Sequence, residues 1–121
     1  MEKDVLKPVY WIGSSYDDWI AFPDAVQDVM GYALHLAQQG MKADGVKPLK
    51  GFKGATVLEI VDDYAGNTWR AVYTVQFKGL IYILHAFQKK AKKGIATPKP
   101  DINLIKQRLK LAKEHYETHK A

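Results

Sequence analysis

The chain has no cysteine in its 121 residues. That excludes a disulfide framework and any thiolate metal centre, and it permits an intracellular setting. No apolar run approaches the roughly 20 residues of a membrane-spanning helix. Residues 1–13 lack the apolar stretch of a secretory signal. A cytoplasmic protein with no membrane partner is expected. The sequence also has no Gly-rich phosphate loop, no His-Glu-x-x-His pair and no Gly-x-Ser-x-Gly elbow, which argues against nucleotide-loop, zinc-peptidase and acyl-transfer chemistry. The four histidines, His35, His85, His115 and His119, are scattered. His115 and His119 stand four apart, a spacing that suits a metal on a helix. Without acids on the same face they read as exposed tail residues, so no metal and no cofactor is expected.

What is present begins with apolar residues, 47% of the chain, enough to build a core and to argue against wholesale disorder. The length suits one domain over residues 1–121. The net charge of +5 hides an asymmetry: residues 1–46 carry −4 and residues 47–121 carry +9. A basic C-terminal portion suggests a surface that faces a polyanion. Solvated lysines that serve solubility would give the same composition.

The pattern along the chain predicts the element order. Val9 to Ile12 is a β-branched and aromatic run closed by Gly13, a first strand. Ser14 and Ser15 followed by Asp17 and Asp18 read as a helix start, and Pro23 ends that short helix. A second helix runs from about Asp24 to Gly40, with Val26, Val29, Met30, Ala33, Leu36 and Ala37 as its apolar stripe. Met41 to Gly54 is a loop rich in lysine. Three strand-like runs follow, Thr56–Val61, Thr68–Phe77 and Leu80–Phe87, with short connections that demand antiparallel neighbours. In the second run Trp69, Ala71, Tyr73, Val75 and Phe77 share one face, and Arg70, Val72, Thr74 and Gln76 the other. A basic loop from Gln88 reaches Thr97-Pro98. A terminal helix then carries Ile102, Ile105, Leu109, Ala112 and Tyr116 on one stripe. Thr97 or Asp101 is its expected cap. The fold class is α+β: a small antiparallel sheet with an N-terminal helical hairpin and a C-terminal helix.

Arg70, His85, Lys89 and Lys90 are the candidate catalytic residues. Each has an ordinary alternative. Arg70 lies mid-strand and would serve equally as the partner of an acid such as Glu59. His85 would serve as a satisfied core histidine, Lys89 and Lys90 as solvated lysines, Tyr73 as core, and Lys50 and Lys53 as solvated loop lysines. As a set they suggest RNA cleavage without metal or cysteine, in which the 2′-hydroxyl of RNA attacks the adjacent phosphate. Such a site needs Arg or Lys to neutralise charge at phosphorus, and His, Tyr or a crowded Lys to exchange protons.

Three segments resemble the RelE/ParE toxin superfamily, most closely its HigB-like, phage-derived branch. They are Lys47-Pro-Leu-Lys-Gly-Phe-Lys-Gly54 leading into Leu58-Glu-Ile60, Gly66-Asn-Thr-Trp-Arg-Ala-Val-Tyr73, and Leu84-His-Ala-Phe-Gln-Lys-Lys90 running on to Thr97-Pro98 and Gln107-Arg-Leu109. The resemblance spans roughly residues 9 to 117 and agrees with the element order. It implies a RelE-like fold and the toxin of a type II toxin–antitoxin system, a ribosome-dependent endoribonuclease acting on mRNA. The implied partners are an antitoxin, commonly a helix-turn-helix protein, with which the toxin forms an oligomeric complex, together with mRNA and the ribosome. By the same resemblance Arg70 contacts the scissile phosphate. Lys89 and Lys90 contact phosphate or protonate the leaving group. His85 supplies an imidazole and Phe87 a surface on which a base stacks. Lys47, Lys50, Lys53, Tyr73, Lys92 and Lys93 complete the surface for RNA and ribosome.

Two features depart from the family pattern. Its usual Trp-Glu-Leu-Arg strand corresponds to Val57-Leu-Glu-Ile-Val61, so Val61 stands where a second strand arginine is expected. The C-terminal tyrosine used by some relatives has only Tyr116 as a counterpart, on the apolar stripe. A ParE-like gyrase-binding toxin without nuclease activity, or a degenerate, non-toxic RNA-binding domain, is the alternative.

Overall fold

A computed structural model describes residues 5–90 and 96–119, with the backbone alone for Lys90. The elements are β1 (Val9–Trp11), α1 (Ser15–Ile20), α2 (Asp24–Gln38), β2 (Lys47–Pro48), β3 (Val57–Tyr64), β4 (Asn67–Thr74), β5 (Ile81–Lys90) and α3 (Lys99–His119). The strands form one sheet in the order β1-β5-β4-β3-β2. The expected α+β class holds, and the sheet is antiparallel except at β1, which pairs with β5 in parallel. The long excursion through the helical hairpin frees β1 to enter the sheet beside the last strand. The two-residue β2 escaped the sequence pattern because Pro48 breaks it.

The β3–β4 connection is tighter than the expected six-residue turn. Tyr64 pairs with Asn67, leaving Ala65 and Gly66 as the whole loop, at φ 54° and 83°. Two left-handed residues in a two-residue hairpin match the right-handed strand twist. Asp62 and Asp63 therefore belong to β3.

Helices cover both faces of the sheet. On the first face Leu58, Ile60, Ala71, Tyr73, Ile81, Ile83 and Ala86 pack with Phe22, Val26, Met30, Ala33, Leu34 and Ala37 of the helical hairpin. The buried stripe of α2 includes Leu34 and leaves Val29 48% exposed, a small rotation from the expected stripe. On the second face Val57, Val72, Tyr82 and Leu84 pack beneath Ile105 and Ala112 of α3, with Ile102, Leu109 and Tyr116 partly buried alongside. This is the stripe that the sequence predicts. Burying each such aliphatic side chain contributes about 2 kcal/mol, so α3 is held by packing, since nothing in its polar face would fold alone.

The start of α3 differs from expectation. It opens at Lys99, and Thr97 turns its hydroxyl towards the sheet rather than capping the helix. Ser14 precedes α1 without a side-chain capping bond, and its hydroxyl donates to Asp18 Oδ2 instead at 2.7 Å. Among the described residues, no helix is long and apolar enough to cross a membrane.

Candidate functional site

The site is set by one irregularity in β5. Val72 pairs with His85, but Tyr73 pairs with Ile83, so Leu84 is an extra residue, a β-bulge. Upstream of it, Ile81 and Ile83 belong to the helical-hairpin face and Tyr82 and Leu84 to the α3 face. Simple alternation would send His85 to the helical-hairpin face. The extra residue reverses the phase. His85, Phe87 and Lys89 consequently share the α3 face, in cross-strand rows with Glu59 and Val72, with Val61 and Arg70, and with Asp63 and Thr68.

Arg70 is buried on this face, with its side chain 6% exposed. Its Nη1 donates to Glu59 Oε2 at 2.9 Å and to Thr97 Oγ1 at 3.2 Å. Thr97 Oγ1 itself donates to Glu59 Oε2 at 2.8 Å. Glu59 and Arg70 sit diagonally on neighbouring strands, in adjacent rows, which brings their charged ends together. Glu59 is the acid that the sequence offers as the alternative partner of Arg70, and the two are joined here.

His85 Nε2 lies 2.7 Å from Asp101 Oδ1. An ionised carboxylate only accepts, so the imidazole proton belongs on Nε2. Nδ1 is buried, with no hydrogen-bond partner among the described residues. The ring stacks on Phe87, with centroids 4.5 Å apart and planes 16° from parallel. Asp101 occupies the first turn of α3, where the helix dipole favours a carboxylate. Lys89 is the cation at the rim, and its Nζ donates to the Ala96 carbonyl at 2.8 Å. Partial desolvation and the Arg70 guanidinium hold its pKa below the usual lysine value, against the opposing pull of Glu59 and Asp101.

The site therefore joins Arg70, His85, Phe87 and Lys89, and adds Glu59, Thr97 and Asp101. Sequence reasoning treated Thr97 and Asp101 only as helix caps. Both lie against the α3 face, where Thr97 meets Glu59 and Asp101 meets His85. Lys90 takes the next register position, opposite Asn67, in the row of the other face. Its side chain, like Lys92 and Lys93, lies outside the described residues. Lys47 is exposed on β2 opposite Glu59, and Lys50 and Lys53 are exposed on the β2–β3 loop.

Tyr73 requires a correction as a surface residue for RNA. It is 1% exposed, in the core between the sheet and α2. Its position on the face opposite Arg70 follows from strand alternation, which the sequence already shows. Burial pushes its phenol up to about 12.

Residues 17–110 match the model of the family described as phage derived protein Gp49-like (DUF891). The protein belongs to the Gp49-like family. The match runs from α1 into α3 and includes every residue of the site, in keeping with the phage-derived branch of the RelE/ParE resemblance. No curated protein matches this Gp49-like chain. Among solved structures it resembles a chain of the toxin–antitoxin complex RelBE2 from Mycobacterium tuberculosis, at 16% identity and a TM-score of 0.46, covering 74% of this chain and 98% of that one.

Proposed function

We propose that this protein is the toxin of a type II toxin–antitoxin pair and that it cuts mRNA on the ribosome without a metal ion. The observation that carries the reading is the bulge at Leu84, which gathers an imidazole, an aromatic ring and a lysine on the face that holds Arg70. In this reading the 2′-hydroxyl of the RNA attacks the neighbouring phosphorus and the 5′ oxygen leaves. The His85–Asp101 pair takes the hydroxyl proton, and Lys89 protonates the leaving oxygen. Arg70 meets the charge that builds at phosphorus, and Phe87 offers a stacking surface. Arg70 is covered by Glu59 and Thr97 in the structure, so substrate engages it by exchanging the Thr97 hydroxyl for a phosphate oxygen while the His85–Asp101 pair stays in place. Lys47, Lys50 and Lys53 draw in the RNA and ribosome. A helix-turn-helix antitoxin in an oligomeric complex restrains the activity.

The test is cleavage of mRNA on programmed ribosomes by the purified protein, with free mRNA and Lys89→Met as controls. Cutting on ribosomes that the variant loses supports the reading. The buried Arg70–Glu59 pair favours a second reading, a degenerate domain that binds RNA without cutting it. RNA binding with no cleavage under either condition would establish that reading instead.

A further inference from the structure

A β-bulge leaves backbone groups that the strand ladder does not satisfy, and a bulge that sets the face of a site must be held by something. Leu84, the extra residue, is fully buried. Its carbonyl accepts from Arg108 Nη1 at 3.0 Å, while Arg108 Nη2 donates to Ser14 Oγ at 3.1 Å. Arg108 comes from α3 and Ser14 from the turn after β1, so one guanidinium spans the end of the sheet. The place matters. β1 pairs with β5 only as far as Trp11 opposite Ile83, and the Ile12 amide and the Ser15 hydroxyl still reach the Ile83 carbonyl. One residue further along β5, at Leu84, the strand partner has gone and the arginine side chain stands in its place.

Gly13 completes the arrangement. It lies at φ +60°, and a Cβ there would sit 2.8–2.9 Å from the Arg108 guanidinium. The backbone approaches the arginine as closely as it does because no side chain intervenes. Gly13, Ser14 and Arg108 have no role in the chemistry above.

We infer that Arg108 is the positioning residue of this site: by binding the Leu84 carbonyl it fixes the bulge, and with it the face on which His85, Phe87 and Lys89 stand. The inference rests on the proposed cleavage for its kinetic consequence, but not for its structural one.

The experiment follows the His85 imidazole by 15N NMR and ribosome-dependent mRNA cleavage in parallel, in the full chain and in Arg108→Met, which keeps the aliphatic stem and removes the donors. The expected result is loss or broadening of the His85 Nε2–H signal and a fall in kcat on the order of 100-fold, with KM little changed. Arg108→Lys, which keeps one donor, should restore part of both. Gly13→Ala drives a methyl group against the guanidinium and should reproduce the loss with Arg108 still present. Wild-type His85 signals and kcat in whichever of Arg108→Met and Gly13→Ala folds would overturn the inference. If the unaltered protein cuts no RNA, the functional reading fails, and the His85 signal alone still judges Arg108.

Discussion

His85 Nε2 and Asp101 Oδ1 stand 2.7 Å apart and join the end of β5 to the first turn of α3. Asp101→Asn keeps an oxygen for that hydrogen bond and removes the charge that stabilises an imidazolium. RNA cleavage should fall about 100-fold, while the far-UV circular dichroism is unchanged. A wild-type rate in this variant would take the pair out of the mechanism. Asp101→Ala leaves a buried imidazole N–H without its acceptor and should destabilise the fold by about 1–3 kcal/mol, read from urea denaturation.

Lys89 supplies the pH signature. Its pKa lies below the ordinary lysine value of 10.5, first through partial desolvation and then through Arg70. As the proton donor it is active when protonated, so cleavage should decline as pH rises through this lowered pKa. Lys89→Arg stays protonated throughout and should flatten that alkaline limb. The measurement is a pH–rate profile of both proteins, and coincident alkaline limbs would assign the proton to another group.

Arg70 and Glu59 are both mostly buried, at 6% and 12% side-chain exposure. Removing either one takes from the other its partner in this ion pair. Arg70→Met and Glu59→Leu should each destabilise by about 3 kcal/mol, and the double variant by clearly less than their sum. Chemical denaturation of the four proteins closes the cycle. Additive effects would show that the pair contributes nothing as a pair. Loss of activity in Arg70→Met therefore needs its stability measured beside it before the loss is assigned to chemistry.

Tyr73 offers a prediction of the opposite sign. Its hydroxyl is buried without a hydrogen-bond partner among the described residues. Tyr73→Phe should stabilise the protein at neutral pH by about 1 kcal/mol. The phenol holds its proton up to about pH 12 in the folded protein, against 10.0 for an ordinary tyrosine. In that interval the folded state binds more protons than the unfolded one, so stability falls as pH rises. Below pH 10 the term is constant. Thermal unfolding between these limits should show a shallower decline in the variant, and parallel curves would contradict it.

Much of the fold was legible because helix and strand periods differ. The stripe of α3 and the two faces of β4 as far as Thr74 read directly from residue spacing, but Phe77, expected on the face of Tyr73, lies beyond the strand and packs on the α3 face. The phase of β5 did not. Ile81, Tyr82, Ile83 and Leu84 are all buried, because both faces of the sheet are covered, and a strand with two apolar faces carries no alternation to betray an extra residue. His85 and Lys89 stand out from the residues alone and Phe87 from the resemblance, whereas their common face comes only from the bulge. Glu59 was visible as a possible partner of Arg70 because strand pairing brings it near. Thr97 and Asp101 were not visible, since their contacts with Glu59 and His85 are long-range and leave no spacing in the sequence. For Tyr73 the family motif and the strand pattern disagree, and alternation with Arg70 gives its true place in the core.

The extra residue in β5 also changes what a difference in length means in this part of the chain. Deleting Leu84 would preserve the composition of the strand end and its hydrogen-bonding capacity. It would also leave His85, Phe87 and Lys89 opposite Val72, Arg70 and Thr68, because Leu84 is the residue that the pairing already skips. A gap at the bulge is therefore absorbed, whereas a gap between His85 and Lys89 would turn the residues beyond it to the other face. A relative shorter by one residue between Ile83 and His85 could lack the bulge and still present the same groups beside Arg70.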